Sequence, residues 1–219
     1  MNYEIKYKPA FSTIFVTLGA GESITAEAGA MASMDGALTM KNTWFGGFFS
    51  AILKSFFGGE SLFANTFSNN TNQPRTLVLT QSSVGDIEAL QLQGRTFGFE
   101  SGTYIAHVGN VKLGVRWAGF KSWFSGEGLF KLQATGDGTI FFGGYGGISK
   151  KRVSGEFVVD TGHLLAYEST LKLNLGLAGG LLGSVTSGEG FVMKIVGNGD
   201  IYMQSRSIDG LVKFLRPKI

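Results

Sequence analysis

The chain carries one pattern three times. "SGEGLFKLQATGDG" begins at Ser125, "SGEGFVMKIVGNGD" at Ser187, and a looser version, "GGESLFANTFSNN", at Gly58. Glu60, Glu127 and Glu189 anchor the alignment, each preceded by a glycine and followed by an alternating apolar run: "SLFANTF", "GLFKLQA" and "GFVMKIV". Such alternation suits half-buried strands. Upstream, "AEAGAMASMDGALTM", "FESGTYIAHVGNVKL" and "VDTGHLLAYESTLKL" place Glu27, Glu100 and Asp160 two residues before Gly29, Gly102 and Gly162. Still further upstream, "LGAGESI", "LQGRTFG" and "VSGEFVV" each supply a turn. Self-similarity of this kind decides the architecture before any other signal.

Between the two matched blocks each copy holds an insertion. In "FGGFFSAILKSFF", Phe48, Phe49, Ile52, Leu53, Phe56 and Phe57 recur at helical spacing. "VRWAGFKSWF" places Trp117, Phe120 and Phe124 similarly, and "GLAGGLLGSV" does so with Leu177, Leu181, Leu182 and Val185. The expectation is a short amphipathic helix in each insertion, stopped by a glycine. The remainder reads as short strands between glycine turns: "STIFVTL", "TLVLTQ", "EALQLQ", "TIFFGG", "EFVVD" and "DIYMQS". One copy alone would leave an apolar face exposed. Three closing about a pseudo-threefold axis would share a core. The predicted fold is therefore all-β: one compact domain spanning 1–219, built of three sandwich or barrel repeats at about 1–84, 85–149 and 150–219, with short helices at one end.

Composition narrows the function. Only 16% of residues are charged and 34 are glycine, the balance of an ordered, turn-rich protein. The net charge of +3 is too mild to single out nucleic acid as a partner. With no cysteine there is no disulfide, thiolate metal site or cysteine nucleophile. The start, "MNYEIKYKPAFSTIFV", does not read as a signal peptide, and "LNLGLAGGLLGSVTSG" is too short and glycine-rich for a spanning helix. A cytoplasmic protein, with peripheral membrane contact as an alternative, is the expectation.

The Gly-Glu anchors, the acid-x-Gly strands and the aromatic, glycine-rich insertions together resemble the altered inheritance of mitochondria family over nearly the whole chain. That family is similar in fold to the tryptophan RNA-binding attenuation protein, with three β-rich repeats around a pseudo-threefold. The resemblance implies a fold and brings no catalytic residues with it.

Five constellations bear on function. The acids Glu60, Glu127 and Glu189, and likewise Glu27, Glu100 and Asp160, form two rings if the repeats are symmetry-related. Carboxylates on an axis would need a cation, protons or basic partners. The plainer reading has each acid bonding backbone N–H groups after its turn. The aromatic set is Trp44, Phe45, Phe48, Phe49, Phe56, Phe57, Trp117, Phe120, Trp123 and Phe124. It either caps the core or presents a surface to a partner or a membrane. His107 and His163 occupy inequivalent positions and lack metal-site spacing. "LGAGESI" lacks the third glycine of a dinucleotide loop, and "FFGGYGG" lacks the lysine of a phosphate loop. Lys150, Lys151, Arg152, Arg206, Lys213, Arg216 and Lys218 make a modest basic set, for which a solvated face is the ordinary explanation.

The reading these support is a non-enzymatic scaffold or binding protein acting through its helix-bearing end or by assembly. A protein partner or self-association is expected, and membrane-surface contact is the lesser possibility. No metal, no cofactor and no small-molecule substrate is identified. A divalent-metal-dependent binder or enzyme using the acid ring is the alternative, and single-stranded RNA binding by fold analogy is a second.

Overall fold

The computed structural model describes residues 1–44, 63–117, 130–177 and 191–216. The polypeptide opens with β1 (Asn2–Lys6), β2 (Thr13–Leu18), β3 (Ser23–Glu27), β4 (Met31–Met34), β5 (Thr39–Trp44), β6 (Phe63–Ser68) and β7 (Arg75–Leu79). It continues through β8 (Ile87–Gln91), β9 (Phe97–Phe99), β10 (Tyr104–Trp117) and β11 (Phe130–Gly143). The last strands are β12 (Ile148–Asp160), β13 (Leu164–Glu168), β14 (Lys172–Leu177) and β15 (Phe191–Gln204), with a 3-10 turn at Thr161–His163. The helix α1 (Ile208–Leu215) ends the described chain. The alternating apolar residues of β2 and β3 face inward, as their period of two requires. The three predicted insertion helices lie outside the described residues except for Trp117 and Leu177, expected on the second and third, which instead end the strands β10 and β14 by pairing with Phe130 and Phe191. The helix α1 is one the sequence reading did not anticipate.

The same four antiparallel pairings recur in three consecutive stretches. In the first, β2 and β4 pair with β7, and β3 and β5 with β6. In the second, β8 and the start of β10 pair with the end of β11, while β9 and the rest of β10 pair with its start. In the third, the two halves of β12, with β13 and β14, repeat the scheme on β15. Even the irregularities match. A bulge falls at Ala32, at Ile105 and at Leu165, each three residues after the glycine of the acid-x-Gly motif. The turn ahead of β3, of β9 and of the second half of β12 carries Gly21, Gly94 and Gly155 at φ of 74°, 76° and 96°, backbone that a side chain would strain.

Successive stretches join edge to edge in one register. Ala106 and His107 of β10 face Ala26 and Thr25 of β3. Ala166 and Tyr167 of β13 face Phe99 and Gly98 of β9. Two of the three core clusters are shared across these junctions. Ile105, Ala106 and Phe141 enter the first core, and Leu165, Ala166 and Tyr202 enter the second. Among the described residues the third core draws only on its own stretch.

The expected closure into a ring or barrel is not found. Among the described residues the strands form open antiparallel sheets of four and eleven strands, and β4 ends the smaller one. Where the made junctions insert Ile105–Ala106 and Leu165–Ala166, β4 offers Ala32 and Ser33, which remain exposed. So little apolar area gives a third junction a weak hydrophobic drive.

Candidate functional site

One end of each stretch gathers the residues singled out by sequence. There, each insertion leaves and re-enters through a hairpin whose last facing pair is matched in all three stretches. The pairs are Trp44 with Phe63, Trp117 with Phe130, and Leu177 with Phe191. The backbones of Trp44 and Trp117 thus sit at hairpin tips. Phe45, Phe48, Phe49, Phe56, Phe57, Phe120, Trp123 and Phe124, and the acids Glu60, Glu127 and Glu189, lie outside the described residues.

The acid-x-Gly turns lie beside these hairpins. Glu27 faces Ala64, next to Phe63; Phe99, just before Glu100, faces Leu132, two residues from Phe130; and Asp160 faces Val192, next to Phe191. Gly29 and Gly102 adopt φ of 89° and 73°, which lets each turn reverse within a few residues. Two adjoining cavities open there. One, of about 400 Å³, lies at the first junction and is lined by Glu27, Gln81 and Tyr104 among others. The second, of about 380 Å³, lies at the second junction beside Glu100, Tyr145 and Gln204. Ser82, Ser101 and Gly102 line both.

The acids of these turns do not converge as one equivalent set. Glu27 and Glu100 face separate cavities. Asp160 instead caps the 3-10 turn, its Oδ1 accepting a hydrogen bond from the Gly162 N–H at 2.8 Å. That is the local backbone satisfaction expected of a turn carboxylate. Among the described residues no group of His, Asp and Glu is placed to hold a metal ion.

The cavity walls are pinned by polar side chains that sequence reasoning missed. Gln81 Nε2 donates to the Asp86 and Gly144 carbonyls at 3.3 and 3.2 Å. Gln204 accepts from the Tyr145 N–H at 2.7 Å through Oε1 and donates to the Gly162 carbonyl at 2.8 Å through Nε2. His163 Nδ1 donates to the Gln204 carbonyl at 2.8 Å. Beneath the first cavity the Tyr104 hydroxyl lies 2.7 Å from His107 Nδ1. Burial pushes the tyrosine up and lowers the His107 pKa to about 4, so the imidazole is neutral at pH 7. Both histidines are thus engaged by internal hydrogen bonds.

A charged cluster occupies the face of β12 and β15. The buried Asp200 receives Lys150 at 2.8 Å, Arg152 at 3.3 Å and Arg95 at 3.5 Å. Burial alone would raise the Asp200 pKa. The bonds from Lys150 and Arg152 outweigh it and hold the carboxyl below its ordinary range. Arg152 also reaches Glu168 at 3.5 Å. Two of the basic residues noted in the sequence are therefore engaged internally. The helix α1, capped by the Ser207 hydroxyl, which accepts from the Gly210 N–H at 3.1 Å, exposes Ile208, Leu211, Val212 and Leu215. No helix among the described residues is long and apolar enough to cross a membrane.

Thrice-repeated antiparallel pairing, with acid-x-Gly turns beside the insertion hairpins, defines a class of open, β-rich proteins. The chain belongs to the mitochondrial biogenesis AIM24 family, whose sequence profile matches residues 3–206. It is similar to an uncharacterized protein of Streptococcus pyogenes serotype M6, 26% identical over 218 residues that cover 95% of this chain and 87% of the relative. It is also similar to a Streptococcus pyogenes protein of known crystal structure, with a TM-score of 0.78 and 25% identity over 100% of this chain and 99% of that one.

Proposed function

We propose that this protein is a non-enzymatic scaffold whose three stretches are copies related by a pseudo-threefold, and which binds a protein partner through its insertion end. One observation carries the reading: every insertion leaves from a hairpin with the same facing position at its tip. Two aromatic-rich segments, 45–62 and 118–129, and the leucine-bearing segment 178–190 hang on equivalent hairpins and would together offer a trivalent surface. Linked sites of that kind multiply affinity by roughly 10²–10⁴ when geometry allows joint engagement. Membrane-surface contact is the second way such a surface would work. The hairpin tips favour it because they carry Trp44 and Trp117.

The test compares the wild-type chain with Trp44→Ser/Phe48→Ser and with a variant that also carries Trp117→Ser. Affinity capture and flotation with anionic vesicles are the readouts. Binding should fall stepwise as tips are removed. Identical capture and flotation by all three proteins, with unchanged folding by circular dichroism, would remove the insertion end from consideration.

A further inference from the structure

Twice within the chain, the strand after an acid-x-Gly turn lies against the strand before the previous such turn. The offset is the same both times. The fourth residue past one glycine faces the third residue before the other: Ala106 with Ala26, and Ala166 with Phe99. The fifth faces the fourth: His107 with Thr25, and Tyr167 with Gly98. At these junctions the edges are buried, with Ala26, Phe99, Ala106 and Ala166 each at 0% exposure.

One edge of each kind is left over. Among the described residues β4 pairs only with β7, and the second half of β12 only with β15. Met31 is 38% exposed, where its counterparts Tyr104 and Leu164 are buried, and Val158 is 51% exposed, where Thr25 is half-buried and Gly98 buried. The free edge "MASM" carries no charge and no proline, and so lacks the usual devices that block strand addition. We infer that these two edges meet between copies of this chain. The outer edge of β4 in one molecule adds to β12 of the next, with Ser33 facing Val159 and Met34 facing Val158, in a head-to-tail assembly.

The occupant is a second copy because the two edges are complementary in the register the chain already uses twice. The bulge at Ala32 repeats the bulges at Ile105 and Leu165, so β4 has the shape that fits. The core it would complete is the third, which borrows nothing from a neighbour among the described residues. Heterologous contacts of this kind close into a ring or extend as a filament. Ala32 and Ser33 supply less apolar area than their counterparts, which makes the joint weak and concentration-dependent.

Sedimentation velocity across a concentration series tests this with three proteins. Wild type should move from monomer to larger species as concentration rises. Ala32→Leu/Ser33→Ala, which restores the residue types of the made junctions, should associate at least about tenfold more tightly. Adding Val158→Lys should return it to monomer, because a charge at the facing edge is disfavoured. A chain with Met34→Cys and Val158→Cys has its only two thiols at the predicted facing positions. On oxidation it should give a ladder of crosslinked chains. An internally crosslinked monomer would show that the edges close within one molecule, which overturns the inference. So would tightened association that survives Val158→Lys, or a monomer in every variant at all concentrations.

Discussion

The second junction rests on the absence of a side chain. Gly98 faces Tyr167, and a Cβ built on Gly98 would lie 2.5 Å from Tyr167 Cζ, 2.7 Å from its Oη and 2.8 Å from Cε1. The ring has nowhere to go, since Tyr167 is 6% exposed and the flanking Phe97 and Phe99 are at 0%. Gly98→Ala should therefore cost about 1–3 kcal/mol, the usual range for overpacking a close-fitting core. Tyr167→Ala alone should cost about 3–5 kcal/mol through the cavity it leaves. In that background Gly98→Ala should become neutral or mildly stabilising, because Ala restricts the unfolded chain more than Gly. The coupling should be about 1–3 kcal/mol, the range seen for residues in contact. Urea unfolding of the four proteins, followed by fluorescence, gives the cycle. Equal cost of Gly98→Ala in both backgrounds would show that the junction is not packed as described.

Phe142→Ala should lower stability by about 3–5 kcal/mol in the same assay, since the ring is fully buried against Phe99 and Tyr202 at 5.5 and 5.1 Å. Ser12→Ala removes the buried 2.7 Å bond to Asp86 Oδ1 and should cost about 1–2 kcal/mol, read as a lowered urea midpoint. For His107 the folded pKa of about 4 lies below the ordinary 6.5. The unfolded chain then binds the proton first, so stability falls as pH drops from about 6.5 to 4 and levels off below. His107→Gln should flatten that stretch of a stability-versus-pH curve; an unchanged slope would contradict the burial. Asp200→Asn leaves Lys150, Arg152 and Arg95 without their shared carboxylate and should lower the thermal midpoint measurably, more so at low salt.

The sequence carries the strands well because alternation and glycine turns are local signals. It cannot carry continuity. "EFVVD" and "DIYMQS" read as separate short strands, yet β12 and β15 run unbroken through Gly155 and Gly197. Both glycines bend at positive φ while pairing continues, and composition cannot tell a bend from a turn. Closure was out of reach for another reason: it depends on how successive stretches are set against one another, which no local pattern encodes. Glu27 and Glu100 were legible as matched positions because the motif repeats, but the cavities they line were not. Gln81 and Tyr145 were not legible, since they come from loops that share no pattern, and neither was Gln204, one polar residue at the end of β15. Asp200 had a faint signal. It shares a slot with Thr76 and Thr139, facing Arg152 where those face Thr17 and Gln91. The helix α1 advertised itself through Ser207 and the spacing of Ile208, Leu211, Val212 and Leu215, but at two turns it is brief.

The facing pairs at the hairpin tips separate what is fixed in this chain from what is free to vary. Segments 45–62, 118–129 and 178–190 differ in length and composition, yet each begins and ends on neighbouring rungs of the same ladder. The β-body therefore senses only where a segment is anchored and is indifferent to its span, as surface connections generally are. Exchanging one segment for another, or for an unrelated peptide of similar reach, should leave the sheets intact and change only what the molecule grips.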